Sequence, residues 1–252
     1  MEPARDWAAD EPAHLGAHEV HVWRIRIDQR PSAAQWALLS PDERGRASRY
    51  HFDEHRNAYV IAHAELRAIL ASYTGLAARE LVFALNEFGK PGPVTGATGT
   101  VPKFNLSHSG HYALVAVAQS GEVGVDVECW NEEAEHLDLS ERFFSPLEQQ
   151  ALRALAGEPG DVVRGFFAAW SRKEAYLKAR GYGITQGLDH FDVSLAPAEL
   201  ARLVADRTDD EAHERWFMTA LDVAPGYSAA LVAERPVARV VLVHRAHGGE
   251  VQ

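Results

Sequence analysis

Asp126 and Glu128 stand two residues apart in GVDVECW (124–130), a stretch whose valines otherwise read as a buried strand. Side chains alternate along a strand, so the two acids leave one face while Val125 and Val127 enter the other. Carboxylates held this close raise each other's proton affinity unless a cation lies between them. A hard divalent ion such as Mg²⁺ suits the place, because it prefers oxygen ligands, commonly takes one or two carboxylates and leaves its remaining positions to water and phosphate. Two acids on an exposed strand face are the plainer account, and the seven residues alone do not decide.

A second candidate segment is WSRKEAYLKARGYG (170–183), which places Lys173, Glu174 and Lys178 on a helix opening in the aromatic run Phe166, Phe167 and Trp170. Glu174 and Lys178 share a helix face. An exposed i,i+4 ion pair is worth only about 0.2–0.5 kcal/mol. The alternative use makes Glu174 a third oxygen ligand and Lys178 a phosphate contact, both within reach of one phosphate-bound ion.

The third is residues 89–110, GKPGPVTGATGTVPKFNLSHSG, with Lys90 in a Gly/Pro turn and Ser107-His108 ending an extended run. Adjacency in sequence does not make a serine nucleophile and its base, and no G-x-S-x-G elbow surrounds the pair. Hydrogen-bonding groups for a phosphate fit better, beside the simpler reading of a polar pair finishing a strand.

The bulk composition narrows the class. A 252-residue chain with 46% hydrophobic residues can build one large or two small cores. The net charge of −11 offers no broad basic surface for nucleic acid, so a polyanion must be met locally. Of its 25 basic residues only Lys90, Lys103, Lys173 and Lys178 are lysines, all in the middle of the chain, as compact point charges for phosphate would be. A single cysteine, Cys129, excludes an internal disulfide and any cysteine-built zinc site. An acidic start and no apolar run of roughly 20 residues predict a cytoplasmic protein.

Periodicity places these residues on elements. HVWRIRID (21–28) alternates like a strand, and residues 41–73 read as one helix from Pro41 to a stop at Gly75. A short strand and turn follow in 80–93, then two strands hinged at Ser120-Gly121 within 103–130. FSPLEQQALRALAG and VVRGFFAAWSRKEAYLKARGYG read as helices, and FDVSL, WFMTALDV and YSAALVAERP as strands. GHYALVAVA (110–118) is echoed by PGYSAALVA (225–233), and AELRAILASYTG loosely by KEAYLKARGYG. The echo predicts an α+β protein of two similar α/β halves, 15–119 and 120–245, between a flexible tail at 1–14 and another at 246–252, with a ligand crevice between the halves.

Taken in order, GKP, FNLSHSG, GVDVECW, FFSPLEQ and WSRKEAYLKARG resemble the signature series of the 4′-phosphopantetheinyl transferases. The length resembles the long, pseudo-dimeric surfactin-activating type, and the likeness runs from about residue 20 to about residue 235. The resemblance implies an enzyme that moves the phosphopantetheine arm of coenzyme A onto a serine of an apo acyl or peptidyl carrier protein and releases 3′,5′-ADP. It implies Asp126, Glu128 and Glu174 as Mg²⁺ ligands, Lys178 at the pyrophosphate, and Lys90, Ser107 and His108 around the adenosine 3′-phosphate. Either Glu174 or Glu148 would take the proton of the carrier serine. Where the family often has a lysine on the first long helix this chain has Glu43, so Arg46, or Arg44, Arg49 or Arg56, would meet the 3′-phosphate. It also implies a monomer, with a local apolar and arginine-bearing patch for an acidic carrier. Two other readings share the residues: a Mg²⁺-dependent hydrolase of the coenzyme A pyrophosphate, and a noncatalytic carrier-binding module.

Overall fold

Four layers, helix on sheet on sheet on helix, hold the acidic strand against the acid-bearing helix. The computed structural model describes residues 7–8, 14–85, 91–94, 102–158, 160–181 and 187–245. Strand β1 (Trp7–Ala8) precedes β2 (Glu19–Arg26). Helices α1 (Ala33–Leu38) and α2 (Pro41–Ala47) each start in a capping box, at Ser32 and Ser40, and α3 (Asp53–Thr74) ends on Gly75 in the left-handed conformation. The expected single helix over 41–73 is therefore two. The chain turns at 48–52, where no glycine or proline marks a break, and Tyr50 is brought against Tyr59 with ring centroids 5.4 Å apart. Tertiary packing overrides a continuous helical pattern here.

Strands β3 (Phe83–Leu85) and β4 (Pro91–Val94) form a small hairpin. Three strands then follow where two were expected: β5 (Lys103–Ser109), β6 (Tyr112–Ala118) and β7 (Val123–Cys129). The additional hairpin turns at Gly110, whose φ of 54° suits glycine. Helix α4 (His136–Phe143) leads to α5 (Pro146–Ala154) and the long α6 (Asp161–Arg180). Strands β8 (Phe191–Val193) and β9 (Leu203–Asp206) pair, and α7 (Ala212–Arg215) precedes β10 (Trp216–Ala220), β11 (Tyr227–Glu234) and β12 (Arg239–Arg245).

The strands fall into a five-stranded sheet, β1-β12-β2-β6-β5, and a three-stranded sheet, β10-β11-β7, beside the two hairpins. Strip away β1 and β12 and the sheets repeat one plan. In each half a first strand (β2, β7) is followed by a long helix (α3, α6) and two more strands (β5 and β6, β10 and β11), and the last strand pairs between the other two. Both long helices end on a left-handed glycine, Gly75 and Gly181. The expected halves are not closed units, however, because β12 returns to the first sheet and pairs in parallel with β2, Val240 opposite Val20. In the stretch expected as a flexible N-terminal tail, Trp7–Ala8 pairs in parallel with β12; residues 246–252 lie outside the described residues.

Alternation assigns each face. On β6, Ala113, Val115 and Val117 pack with Ile61, Leu66, Ile69 and Leu70 of α3, while Leu114, Ala116 and Ala118 meet the second sheet. On β11, Ala230 and Val232 pack toward α6, and Ala229, Leu231 and Ala233 face the first sheet. Val123, Val125 and Val127 of β7 join that central layer. Asp126 and Glu128 are consequently turned the other way, toward α6. Among the described residues no helix is long and apolar enough to cross a membrane.

Candidate active site

Gly124 sets the distance between β7 and α6. A Cβ at that position would lie 2.1 Å from the carbonyl oxygen of Ala175 and 2.4 Å from the nitrogen of Ala179, so only glycine permits this approach. Asp126 follows on the same face and Glu174 and Lys178 come from the helix. Lys178 Nζ lies 2.6 Å from Asp126 Oδ1 and donates to Ser107 Oγ at 3.0 Å, and Ser107 Oγ donates to Asp126 Oδ1 at 2.8 Å. Ser109 Oγ donates to Glu128 Oε2 at 3.1 Å. Asp126 and Glu174 are 2% and 8% exposed, so this acidic cluster is withdrawn from water.

Its electrostatics follow from that burial. Desolvation raises Asp126 above the ordinary carboxylate value, with Lys178 and Ser107 opposing it. Desolvation and then repulsion from Asp126 lift Glu128 to about 7, with Glu174 adding to the rise. Glu174 is raised by desolvation and then by Asp126. Asp126 Oδ2 and Glu174 Oε1 are buried with no hydrogen-bond partner. Three mutually repelling carboxylates with two unpartnered buried oxygens fit a hard cation. Among the described residues no three His, Cys, Asp or Glu side chains already converge on a single ligand position, and Lys178 supplies the positive charge here.

Ser107 and His108 are separated by alternation. Ser107 is buried against Asp126 and Lys178, so its hydroxyl is engaged at the carboxylates. His108 points to the opposite face and lines a cleft of about 920 Å³ with Arg30, Tyr50, His55, Asn57 and His111. Water reaches its ring, while the cleft walls surround it at longer range. Desolvation, then the neighbouring His63, Lys178, Arg46 and His55, push it down to about 4. The same cleft is also lined by Asp28, Asp53 and Glu54, so its charge is mixed. Lys90, expected at the same phosphate, lies outside the described residues.

Glu148 does not join the cluster. It caps α5 by accepting from Ser145 N–H at 3.0 Å, accepts from Val193 N–H at 2.8 Å and pairs with Lys173 at 2.7 Å, all within the core. Lys173 in turn donates to the carbonyls of Leu188 and Phe191. Both oxygens of Glu148 are thus engaged by groups other than Asp126, Glu128 and Glu174. Lys173 and Lys103, the latter paired with Glu122, are likewise held by carboxylates of the protein.

Glu43 also has a structural task. It caps α2 from the Ser40 N–H, accepts from Arg67 Nε at 2.7 Å and lies 3.4 Å from His63, fastening α2 to α3. Burial opposes its charge, but His63, Arg67 and the Ser40 N–H together hold it at about 2. Of the four arginines weighed nearby, Arg56 binds Asp53 and Arg44 donates to the Leu39 carbonyl. Arg46 lies over the Tyr59 ring and lines a recess of about 240 Å³ with Arg49 and Tyr50.

Comparison with known proteins identifies the family. A family model described as 4′-phosphopantetheinyl transferase, N-terminal, matches residues 28–120, and the 4′-phosphopantetheinyl transferase superfamily model matches residues 122–232. The 4′-phosphopantetheinyl transferase HetI of Nostoc sp. is 40% identical over 193 residues, covering 75% of this chain and 79% of its own. The chain belongs to the 4′-phosphopantetheinyl transferase superfamily. The transferase is also 26% identical over 212 residues to the 4′-phosphopantetheinyl transferase Sfp of Bacillus subtilis, covering 83% of this chain and 88% of that one. The boundary between the two family matches falls at Gly121, in the loop between β6 and β7 where one repeat of the fold gives way to the next. Strand β12 of the transferase lies beyond both matches.

The residues that sequence reasoning passed over are Asn105 and Ser109 on β5 and His55, His111 and Arg30 at the cleft. A signal existed for the first two: Asn105, Ser107 and Ser109 alternate with Phe104, Leu106 and His108, and that period marks a polar face. The cleft residues come from three distant segments, which no local pattern connects.

Proposed function

We propose that this transferase moves the 4′-phosphopantetheine arm of coenzyme A to a serine of an apo acyl or peptidyl carrier protein, with 3′,5′-ADP as the second product and Mg²⁺ as the required ion. The observation that carries the reading is the cluster of mutually repelling Asp126, Glu128 and Glu174 beside Lys178, two of its buried oxygens lacking a partner, close to the cleft that His108 lines. Asp126, Glu128 and Glu174 would hold the ion, which supplies charge neutralisation for a bound pyrophosphate.

The protein's own groups account for the rest. The cleft beside His108 receives the phosphorylated adenosine end, with Arg46 and Arg49 in the adjoining recess that shares Tyr50. Lys178 leaves Asp126 for a pyrophosphate oxygen and stabilises the charge that grows on the departing 5′-phosphate of 3′,5′-ADP. The carrier serine oxygen forms its bond to the phosphorus that bears the pantetheine arm as the bridging P–O bond breaks. Its proton passes to Glu174, a carboxylate that desolvation and Asp126 shift toward holding a proton. Both sheets that flank this site come from one chain, which supports a monomer.

The deciding experiment is incubation of the protein with coenzyme A, Mg²⁺ and a panel of apo acyl and peptidyl carriers. Addition of one phosphopantetheine arm by mass, with stoichiometric 3′,5′-ADP, is expected. Release of 3′,5′-ADP without a carrier would select the hydrolase instead. Carrier binding with neither product would select a noncatalytic module. Light scattering at micromolar concentration checks the monomer.

A further inference from the structure

Two sheet edges meet at the carboxylates, and the way they are joined assigns a task to a residue outside the proposed ligand set. Strand β5 ends the five-stranded sheet and β7 ends the three-stranded one. Side chains of β5 join them. Asn105 Oδ1 accepts from the Val125 N–H at 2.9 Å, Ser107 reaches Asp126, and Ser109 reaches Glu128. Ser109 Oγ also accepts from the Cys129 N–H at 3.1 Å.

The two bonds of Ser109 constrain each other. A hydroxyl has one proton and two lone pairs, and its rotor is free unless neighbours fix it. The Cys129 N–H occupies a lone pair, so the Ser109 proton is left to point at Glu128 Oε2, on the residue immediately before Cys129. Holding one oxygen of a planar carboxylate sets the direction of the other. We infer that Ser109 is a positioning residue: from the first half of the chain it orients the Glu128 carboxylate of the second half for cation binding. Ser107 has a mixed role by comparison, since it touches Lys178 as well as Asp126. Asn105 accepts from backbone and acts as a strut.

The inference rests on the metal reading above and is separable from it. Partners that orient a ligand typically govern about 10–100-fold in metal affinity. The test compares Ser109→Thr with Ser109→Val, side chains of nearly equal shape that differ in the hydroxyl, so that packing changes cancel. Mn²⁺ is titrated into the full chain and the free ion is counted by electron paramagnetic resonance, with thermal midpoints recorded for each variant. The Thr variant should bind within about twofold of wild type and the Val variant at least tenfold more weakly, with midpoints close to each other. Equal Mn²⁺ affinity in the Thr and Val variants overturns the role of Ser109. Failure of the wild type to bind Mn²⁺ any better than Asp126→Ala overturns the metal reading, and this inference with it.

Discussion

Gly124 and Ala175 touch backbone to backbone: the missing side chain of one is the space taken by the carbonyl of the other. That contact, one strand position pair before Asp126, fixes how near α6 brings Glu174 and Lys178 to the strand. Gly124→Ala should force the helix outward. Overpacking of this kind costs about 1–3 kcal/mol, and a contact with rigid backbone belongs at the upper end. A fall of roughly 4–10 °C in thermal midpoint is expected, with transferase activity lost out of proportion because the carboxylates separate. Unchanged activity and midpoint would mean the helix position is not set here.

Glu148 and Glu174 both looked able to accept the proton of the carrier serine, and their surroundings assign them opposite behaviour. Removing one member of a buried ion pair costs about 3–5 kcal/mol, because the other charge is left without a partner. Glu148→Ala strands Lys173, which burial already pushes toward neutrality. The variant should unfold at markedly lower denaturant, while the fraction that remains folded keeps its turnover. Glu174→Gln should do the reverse: it keeps the fold and loses turnover by at least about a hundredfold, the scale of a positioned base. Denaturant titration beside single-turnover kinetics separates the two.

The site was legible to the extent that its chemistry lay on regular elements. Alternation on β7 and i,i+4 spacing on α6 placed Asp126, Glu128, Glu174 and Lys178 correctly on their faces, and the echo of β6 in β11 disclosed the repeated plan. What stayed hidden depended on long-range pairing. Strand β12 was not expected at all, and nothing local says that Val240 to Val243 pair with β2, more than two hundred residues earlier. Helix α1 buries no residue and so leaves little periodic trace. Glu148 and Lys173 show the limit for charges, since a buried ion pair and a catalytic one use the same letters.

Glu128 supplies a stability prediction with a definite sign. Its value in the fold, about 7, lies above the ordinary 4.5, so the protonated form is favoured by folding. The resulting stabilisation is fully present below pH 4.5 and is lost as the pH rises through 7. Asp126 and Glu174 are shifted in the same direction. With chelator present, Glu128→Gln should match wild type near pH 4.5 and exceed it in thermal midpoint at pH 8. Millimolar Mg²⁺ should narrow that gap by stabilising the wild type selectively. A gap that closes with rising pH would contradict the repulsion among the three acids.

His108 carries the prediction for the cleft. Desolvation, then its charged neighbours, push its ring down to about 4. An anion bound beside His108 favours its protonated form, so the ring should gain proton affinity when 3′,5′-ADP binds. Followed by NMR, the His108 titration should move upward by a unit or more on saturation with the nucleotide. His108→Ala removes a hydrogen bond to a charged group, worth about 1.5–3 kcal/mol, so KM for coenzyme A should rise roughly 10–100-fold. The rise should be much smaller for the analogue lacking the 3′-phosphate, and kcat should fall little in either case, because the carboxylates on the other face of β5 are untouched. Equal losses for both substrates would place the phosphate elsewhere.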